Sequence, residues 1–453
     1  MSDLTTKKNL SFCIDPFIHL ATRPLGIVKT CCNTDMHIGN LNEDNLETLW
    51  NSDTMKNIRL KMLKGEKVEN CKRCYIEEAV GFESKRIKQN RKWSHVINEA
   101  VLDVKPDGSL PNKIKFLDLR YGIKCNLKCV ICDNTNSSQW IPEQKNIYPK
   151  MKNPLMKDYY KQFNIDVKTP SYWYKNPVIQ KQISDQLKHI EHLYFAGGEP
   201  LIIDEHYKVL EECIVEGYAG DIELRYNSNA TKWKDNLFDL WKNFKSVSFC
   251  YSIDDIGKRN DYIRYPSQWE KTKESLKFFD EKAPENVNIT ITCSVQILNV
   301  YYIPDFIMWI FHQFFKRIKD IQFHLVYYPP QLSPKVMPVF YKKKLSQKYN
   351  QFLSELCQKR QKIDHFKDER RNDCFQKYFQ TLDSHKEKAF QEVFNNRLIE
   401  RLKSIMRFIE SEDYSYRLPA LKEYLQLLDS RRGTSFQKVF PELNEMFKVE
   451  GEK

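Results

Sequence analysis

Alternating hydrophobic and polar residues in the middle of the chain, from about 113 to 335, predict short β-strands separated by helical patterns. The strand-like runs are rich in β-branched and aromatic residues, and the intervals between them are long enough for helices. Six strands spaced in this way indicate parallel βαβ units, in an open sheet or a partial barrel. The six runs are KIKFLDLRY, HIEHLYFAG, DIELRYNSN, SVSFCYSID, VNITITCSV and DIQFHLVYY.

The two flanking regions have different patterns. The first, at about 11–86, is rich in cysteine and contains two short helical patterns. In SDTMKNIRLKMLKG, Ser52 or Asp53 can cap a helix that Gly65 ends. The last region has almost no strand pattern, which predicts helices packed on the central region. We therefore predict three segments, 1–112, 113–335 and 336–453.

Hydrophobicity and charge narrow the class of protein. The hydrophobic content of 41% suits a globular chain, and the sequence has neither an apolar leader nor an uncharged apolar run of about 18 residues. We expect a cytoplasmic protein with no membrane partner. The most apolar window, YYIPDFIMWIFHQFF, contains Asp305 and His312 and predicts a buried helix. The net charge of +12 is spread along the chain, which does not favour a nucleic-acid partner.

Cysteine is the residue type that points to chemistry. Thirteen cysteines, an odd number, argue against a disulfide framework and for metal binding or burial. Eight of them precede residue 133 in groups. Five others are scattered singly and are expected to pack as small hydrophobic side chains. These are Cys213, Cys250, Cys293, Cys357 and Cys374.

Three of the grouped cysteines follow the first predicted strand of the central region directly. Cys125, Cys129 and Cys132 form a CxxxCxxC pattern, in a loop at the strand end where α/β folds place reactive groups. A structural zinc site usually takes four Cys or His ligands, and no histidine lies between residues 115 and 188. Three thiolates on an iron–sulfur cluster leave one iron free to bind another ligand.

This loop resembles that of the radical S-adenosylmethionine (SAM) enzymes. The resemblance implies an α/β fold with a partial (β/α)6 barrel of parallel strands, here with a small Cys-rich metal module before it and an all-helical extension after it. It also implies that Cys125, Cys129 and Cys132 hold a [4Fe–4S] cluster that binds SAM. The family usually has an aromatic residue before the last cysteine, where this chain has Ile131.

A second motif, YFAGGEPL, resembles the GGEP motif of the same family. Gly197 and Gly198 lack the Cβ atoms that would block a close approach, so oxygen atoms, including those of Glu199, can meet a ligand ammonium. Taken alone, the motif could be an ordinary β-turn, Asp254 could cap a helix and Arg264 could form a surface ion pair. The resemblance implies further SAM contacts at Pro200, Asn227, Asn229, Ser252, Asp254 and Arg264.

The first region resembles the SPASM or twitch module, which holds an auxiliary cluster in many radical SAM enzymes. This module usually follows the barrel, whereas here it precedes it. The candidate ligands are Cys13, Cys71, Cys74 and one of an adjacent pair, of which the family pattern favours Cys31 over Cys32. Four thiolates with a CxxC half also suit a structural zinc, but the companion motifs favour an iron–sulfur cluster.

The implied activity is that of an oxidoreductase-type radical generator. An external donor such as flavodoxin or ferredoxin would reduce the cluster, SAM would be cleaved to a 5′-deoxyadenosyl radical, and the radical would take a hydrogen atom from the substrate. The module implies a peptide or protein side chain as substrate, while a nucleotide, a tRNA or a small metabolite also fits the charge. The alternative of another class is a non-catalytic metal-binding scaffold. The reaction type and the oligomeric state are left open.

Overall fold

One nine-stranded sheet organises the computed structural model, which describes residues 11–34, 36–79, 83–161, 172–313, 315–365 and 396–447. The strand order is β3-β2-β1-β4-β5-β6-β7-β8-β9. The strands are β1 His19–Thr22, β2 Ile27–Lys29, β3 Gly39–Asn40, β4 Phe116–Leu119, β5 His192–Phe195, β6 Glu223–Ser228, β7 Ser246–Ser252, β8 Val287–Val295 and β9 Ile318–Leu325.

The six strands predicted for the central region are β4 to β9. Each pairs in parallel with the next one in chain order. This confirms an α/β fold with a large parallel sheet. The order is linear, with β3 at one edge and β9 at the other. Closure into a partial barrel stays a prediction.

Helices connect the parallel strands and fill the flanking regions. The helices within the described residues are α1 Asp15–Ile18, α2 Leu46–Trp50, α3 Asp53–Leu63, α4 Lys72–Ala79, α5 Lys85–Lys92, α6 Ile97–Leu102, α7 Trp140–Ile147, α8 Pro154–Lys161, α9 Pro177–Leu187, α10 Asp204–Val215, α11 Leu237–Trp241, α12 Gly257–Ile263, α13 Trp269–Lys282, α14 Ile303–His312, α15 Val339–His365, α16 Asn396–Glu410, α17 Leu418–Arg432 and α18 Phe436–Val439. None of them is both long and apolar enough to cross a lipid bilayer.

Two helices predicted from the sequence are confirmed. Ser52 caps α3 through a hydrogen bond from the Met55 amide, and Gly65 follows the helix with a φ of +77°. The apolar window forms α14, whose Phe306 and Ile307 are buried. The singly placed Cys213, Cys250 and Cys293 are also buried, as expected. The Cys357 side chain and Cys374 lie outside the described residues.

The cysteine-rich first region contributes three strands to the sheet that the sequence did not predict. β1 pairs in parallel with β4, and β2 and β3 extend the sheet in antiparallel fashion. These strands are four, three and two residues long, and β1 is buried throughout. Strands this short, or buried on both faces, lack the alternation of hydrophobic and polar residues from which a strand is predicted. The first region is therefore continuous with the central sheet.

The two faces of the sheet differ in polarity. On one face Tyr226 packs on Trp241 of α11, with ring centroids 5.1 Å apart, and Phe249 stacks on Phe279 of α13 at 4.8 Å. The other face, which we call the polar face, bears side chains that share one register row. These are Asp118, Tyr194, Arg225, Ser248 and Asn288. Most parallel sheets are apolar on both faces, so the polar face needs a reason beyond packing.

The described helices of the last region pack on the sheet and its loops. Arg401 of α16 donates to the Ile321 carbonyl of β9 at 2.6 Å and forms an ion pair with Asp320. Tyr424 of α17 donates its hydroxyl hydrogen to the Val130 carbonyl at 2.8 Å. The predicted all-helical character is thus found throughout the described part of this region.

Candidate active site

The cysteine loop between β4 and α7 is held by backbone hydrogen bonds to the segment that ends α12. The amides of Lys128 and Val130 donate to the carbonyls of Tyr265 and Ile263 at 2.8 and 2.7 Å. The indole of Trp140 donates to the Cys129 carbonyl at 3.0 Å. The irregular loop therefore has a defined backbone although it has no regular secondary structure.

The three thiols of the loop differ in pKa. A hydrogen bond from the Cys132 thiol lowers the pKa of Cys129 to about 7; burial opposes this effect and the charge of Arg264 adds to it. Burial, followed by the charge of Glu199, raises the pKa of Cys125 to about 12. Cys129 is consequently the most easily ionised thiol of the three.

The donor set of the cysteine loop consists of three thiols, the ligand type of iron–sulfur clusters. Among the described residues, no three His, Cys, Asp or Glu side chains converge closely enough to hold one metal ion. Cys125 and Cys129 are nevertheless near enough to raise the pKa of Cys132. Thiolates are the ligands of iron–sulfur clusters, whose several irons keep their protein ligands farther apart than one ion does.

Gly197 and Gly198 bring the loop after β5 against the cysteine loop. Their φ angles are +75° and +52°. A Cβ at Gly198 would lie 2.4 Å from the Lys124 carbonyl oxygen, and one at Gly197 would lie 2.8 Å from Cβ of Arg120. The Glu199 amide donates to the same Lys124 carbonyl at 2.8 Å. The glycines are thus required for packing between the two loops.

The Glu199 carboxylate forms hydrogen bonds within the protein. It is 1% exposed and accepts hydrogen bonds from the Ser228 hydroxyl at 2.6 Å, the Asn229 amide at 2.7 Å and the Leu201 amide at 3.2 Å. Burial raises its pKa to about 7. Glu199 and the buried Pro200 therefore join the loops after β5 and β6.

Asn229 lies beside the first cysteine of the loop. Its side-chain amide is 4.0 Å from the Cys125 Sγ and donates to Asn126 Oδ1 at 3.2 Å. Asn126 in turn donates to the Thr231 hydroxyl at 2.7 Å. Asn227 is half-buried on β6, two residues beyond Arg225 on the polar face. Asn126 and Thr231 were not predicted as site residues, although Asn126 lies within the CxxxCxxC loop and Thr231 lies two residues after Asn229.

Asp254 and Arg264 form a buried pair next to the cysteines. Arg264 donates to Asp254 at 2.9 Å, and the Ser294 amide donates to the other carboxylate oxygen at 2.7 Å. The Arg264 side chain is 12% exposed, so this is no surface ion pair. Burial opposes its charge, but Cys129 and Asp254 outweigh this and raise its pKa. Ser252, half-buried, ends β7 two residues before Asp254.

Four of the five cysteines in the first region come together. Burial raises the pKa of Cys13, and the nearby Asp15, Cys31 and Cys71 raise it further. Burial followed by Cys74 raises the pKa of Cys71 to about 11. Cys13 thus lies within electrostatic reach of Cys31 and Cys71, and Cys71 lies within reach of Cys74.

Cys32 is near enough to raise the pKa of Cys31, but it differs from the group in its exposure. It is exposed, and the Lys85 ammonium donates to its Sγ at 3.6 Å. Lys85 also forms an ion pair with Asp15 at 3.2 Å. Between the adjacent pair, Cys31 is therefore the better placed ligand.

A comparison with protein families identifies this region. Residues 13–75 match the model of the SPASM family, described as an iron–sulfur cluster-binding domain. This segment is similar to a SPASM domain. The SPASM prediction made from the sequence is confirmed, and the match favours an iron–sulfur cluster over zinc. In the sheet, β1 to β3 all belong to the SPASM segment.

The solved structures that match the chain are distant. Streptococcus suis SuiB bound to S-adenosylmethionine matches at 14% identity, over 68% of this chain and 62% of that chain, with a TM-score of 0.34. SuiB bound to precursor peptide SuiA matches at 14% identity over 61% and 54%, with a TM-score of 0.28. The structure of anSMEcpe with bound AdoMet matches at 14% identity over 72% and 96%, with a TM-score of 0.34.

This chain therefore spans about 62% of the length of the SAM-bound SuiB chain. None of the curated proteins compared with the chain matches it.

The last region supplies site residues that no motif indicated. Arg432 of α17 donates to the Lys128 carbonyl at 2.8 Å and to the buried Glu143 at 2.6 Å. Its guanidinium lies 5.1 Å from the ring of Trp140 and 5.0 Å from that of Tyr265. About 300 residues separate Arg432 from the cysteine loop, so no local pattern could have connected them.

Proposed function

We propose that the chain is a radical SAM enzyme in which Cys125, Cys129 and Cys132 hold a [4Fe–4S] cluster that binds SAM. When bound, the cluster and SAM supply a 5′-deoxyadenosyl radical that takes a hydrogen atom from the substrate. The observation that carries the proposal is the loop of three thiols at the carboxyl end of β4, with the charge of Arg264 beside Cys129.

Residues around the loop have roles in binding SAM. The Arg264 guanidinium, held by Asp254, binds the SAM carboxylate, because the planar fork of a guanidinium matches a carboxylate. Asn229 and Asn227 lie on the side of Cys125, and Ser252 lies at the end of β7. Gly197 and Gly198 keep the two loops in contact, which limits the access of water to the reacting groups.

The SPASM segment provides the auxiliary site. Cys13, Cys31, Cys71 and Cys74 hold its cluster, with Cys32 as a neighbour. Since β1 of this segment is hydrogen-bonded to β4, the auxiliary site and the cysteine loop are attached to the same sheet. The parallel strands β4 to β9 curve into a partial (β/α)6 barrel, and the polar face is the inside of the reaction chamber.

The substrate is a peptide or protein side chain, and an external flavodoxin or ferredoxin supplies the electron. The SPASM match supports a peptide or protein substrate, because resemblance to this module implies peptide substrates. The polar face supports it as well, since it offers hydrogen-bonding side chains for a polar chain to bind.

The test is SAM cleavage by the full chain, purified and reconstituted with iron and sulfide without oxygen. With SAM and dithionite, we expect 5′-deoxyadenosine to form and about eight irons per chain to be bound. Replacing Cys125, Cys129 and Cys132 with alanine should abolish 5′-deoxyadenosine and leave about four irons. Cys213→Ala is the matched control, because this buried cysteine lies in α10 away from both sites.

A metal-binding scaffold predicts a different result. It would bind metal in the same assay but release no 5′-deoxyadenosine. Zinc in place of iron, or full cleavage activity in the triple alanine variant, would also reject the proposed enzyme.

A further inference from the structure

Two arginines near the cysteine loop lie beyond ion-pair distance of any carboxylate in the described part of the chain, although Asp118 and Asp133 act on the Arg23 charge from farther away. Arg225 lies on the polar face in β6, and Arg23 follows β1 directly. Within the described part of the chain, neither side chain forms an ion pair with an aspartate or a glutamate. Arg120, by contrast, makes a bidentate pair with Asp118, at 3.0 and 2.9 Å.

Arg225 is only partly satisfied, because its guanidinium forms a hydrogen bond with Cys250 but not through every donor. Its Nε is buried and has no hydrogen-bond partner. Leaving such a donor unpaired destabilises the fold, so a protein keeps one mainly where a ligand completes it. The Tyr194 ring lies 5.5 Å from the Arg225 guanidinium and 5.8 Å from that of Arg120, which places the ring beside both cations.

Arg23 brings a second charge to the same region. Burial lowers its pKa, and the like charge of Arg120 lowers it further. The next residue, Pro24, lies against the loop after β5, since a Cβ at Gly197 would be 3.1 Å from its Cγ. Arg23 is therefore close to Arg120 and to the edge of the cysteine loop.

We propose that Arg23 and Arg225 bind a carboxylate of the substrate, carried by an acidic residue of a peptide, on the polar face next to the cysteine loop. The assignment deepens the proposed function and rests on it for the reaction that follows. Two guanidiniums offer paired N–H donors to a planar carboxylate. The buried Asp118 would repel a doubly charged phosphate more than a singly charged carboxylate.

A structural role is the competing explanation, and it predicts the opposite effect on stability. If Arg225 were needed to hold Tyr194 or Cys250 in place, its replacement would lower the melting temperature. If it is an unpaired cation kept for a ligand, its replacement should leave the melting temperature unchanged or raise it.

The experiment measures ligand-induced thermal stabilisation of the full reconstituted chain, which requires no turnover. The probes are N-acetyl-glutamate α-amide, its neutral isostere N-acetyl-glutamine α-amide, and N-acetyl-phosphoserine amide. The glutamate probe should raise the melting temperature in a concentration-dependent way, and the glutamine probe should not. Failure to cleave SAM would reject the proposed function and leave this binding result unaffected.

The variants are Arg23→Gln and Arg225→Gln, with Arg91→Gln as control because the Arg91 side chain is 69% exposed. Each of the first two should raise the apparent Kd for the glutamate probe about tenfold. The control should leave it unchanged, and Arg225→Gln should not lower the melting temperature of the free protein.

Four outcomes would overturn the assignment. They are equal stabilisation by the glutamate and glutamine probes, no stabilisation by any probe, unchanged affinity in both variants, and a lower melting temperature for free Arg225→Gln. Stronger stabilisation by the phosphoserine probe than by the glutamate probe would mean that the site binds a phosphate and not a carboxylate.

Discussion

Gly198 illustrates how a single residue sets the geometry between two loops. Its φ of +52° is unfavourable for any residue with a Cβ, and the space that a Cβ would take is occupied by the Lys124 carbonyl. The sequence predicted the glycine pair as a place of close backbone approach to a ligand. The structure adds that the close approach is to the neighbouring loop of the protein itself.

Gly198→Ala is therefore expected to lower the free energy of unfolding by about 2 kcal/mol, from strain in the left-handed region and the clash with Lys124. Denaturant titration of the full chain measures this change. Gly220→Ala is the control, because no atom lies within 4 Å of the added Cβ. Equal destabilisation by both substitutions would contradict the explanation.

A buried histidine makes the fold sensitive to acid. Burial lowers the pKa of His192 to about 4, and the Lys92 ammonium lies 3.0 Å from its Nδ1, where the lone pair of the neutral ring can accept. Between pH 6.5 and 4 the unfolded chain binds a proton at this position that the folded chain does not. His192 therefore makes the free energy of unfolding fall as the pH drops through this range.

His192→Asn should reduce this fall by roughly 2 to 3 kcal/mol, since one pKa unit corresponds to about 1.4 kcal/mol. Urea unfolding at a series of pH values between 4 and 7 measures the effect. His95→Asn serves as control, because the His95 side chain is 60% exposed. An unchanged pH dependence in His192→Asn would show that other groups cause the acid sensitivity.

At the scale of elements, α17 acts as a support for the cysteine loop. Tyr424 and Arg432 donate to the carbonyls of Val130 and Lys128, which are the residues on either side of Cys129. Arg432 also pairs with Glu143, which is buried. A helix from the last region thus fixes the backbone on both sides of one predicted cluster ligand.

Arg432→Met should leave Glu143 without one of its two cationic partners and lower the free energy of unfolding by about 3 kcal/mol. It should also accelerate the loss of iron from the cysteine loop to a chelator, because the loop backbone is no longer held. Arg431→Met, at the exposed neighbouring position, should do neither. Loss of stability without faster iron loss would assign Arg432 to the fold alone.

At the scale of the whole molecule, the SPASM segment and the central sheet form one hydrogen-bonded unit. A cluster held by the proposed auxiliary ligands, Cys13, Cys31, Cys71 and Cys74, would connect the segments before α1 and after β2 with α4. This arrangement explains how a module that precedes the central region in sequence is joined to it: the first strand of the module pairs with the first of the six predicted parallel strands.

Replacing Cys71 and Cys74 with serine should lower the iron content from about eight to about four per chain and lower the melting temperature, because metal binding contributes folding free energy. Iron analysis and thermal unfolding measure the two effects. SAM should still bind, since the cysteine loop is intact. An unchanged iron content would exclude these two cysteines as ligands.

Elements that depend on periodicity and caps within a short stretch of chain were predictable from the sequence. The six parallel strands, α3 and α14 follow from periodicity and caps, and the cysteine spacings and the GGEP motif follow from neighbours in the chain. Chemistry that depends on residue type and short spacing was therefore predictable, including the preference for iron–sulfur ligands. The preference for Cys31 over Cys32 came from the resemblance alone, because the two are adjacent in sequence and differ only in their surroundings in the fold.

The contacts between segments distant in sequence became evident in the folded chain alone. It placed β1 against β4, Arg432 against the cysteine loop, and Arg23 near Arg120 and the cysteine loop. Each of these contacts joins residues about 100 to 300 positions apart. Such contacts arise from packing and charge in the folded chain, and periodicity along the sequence does not predict them.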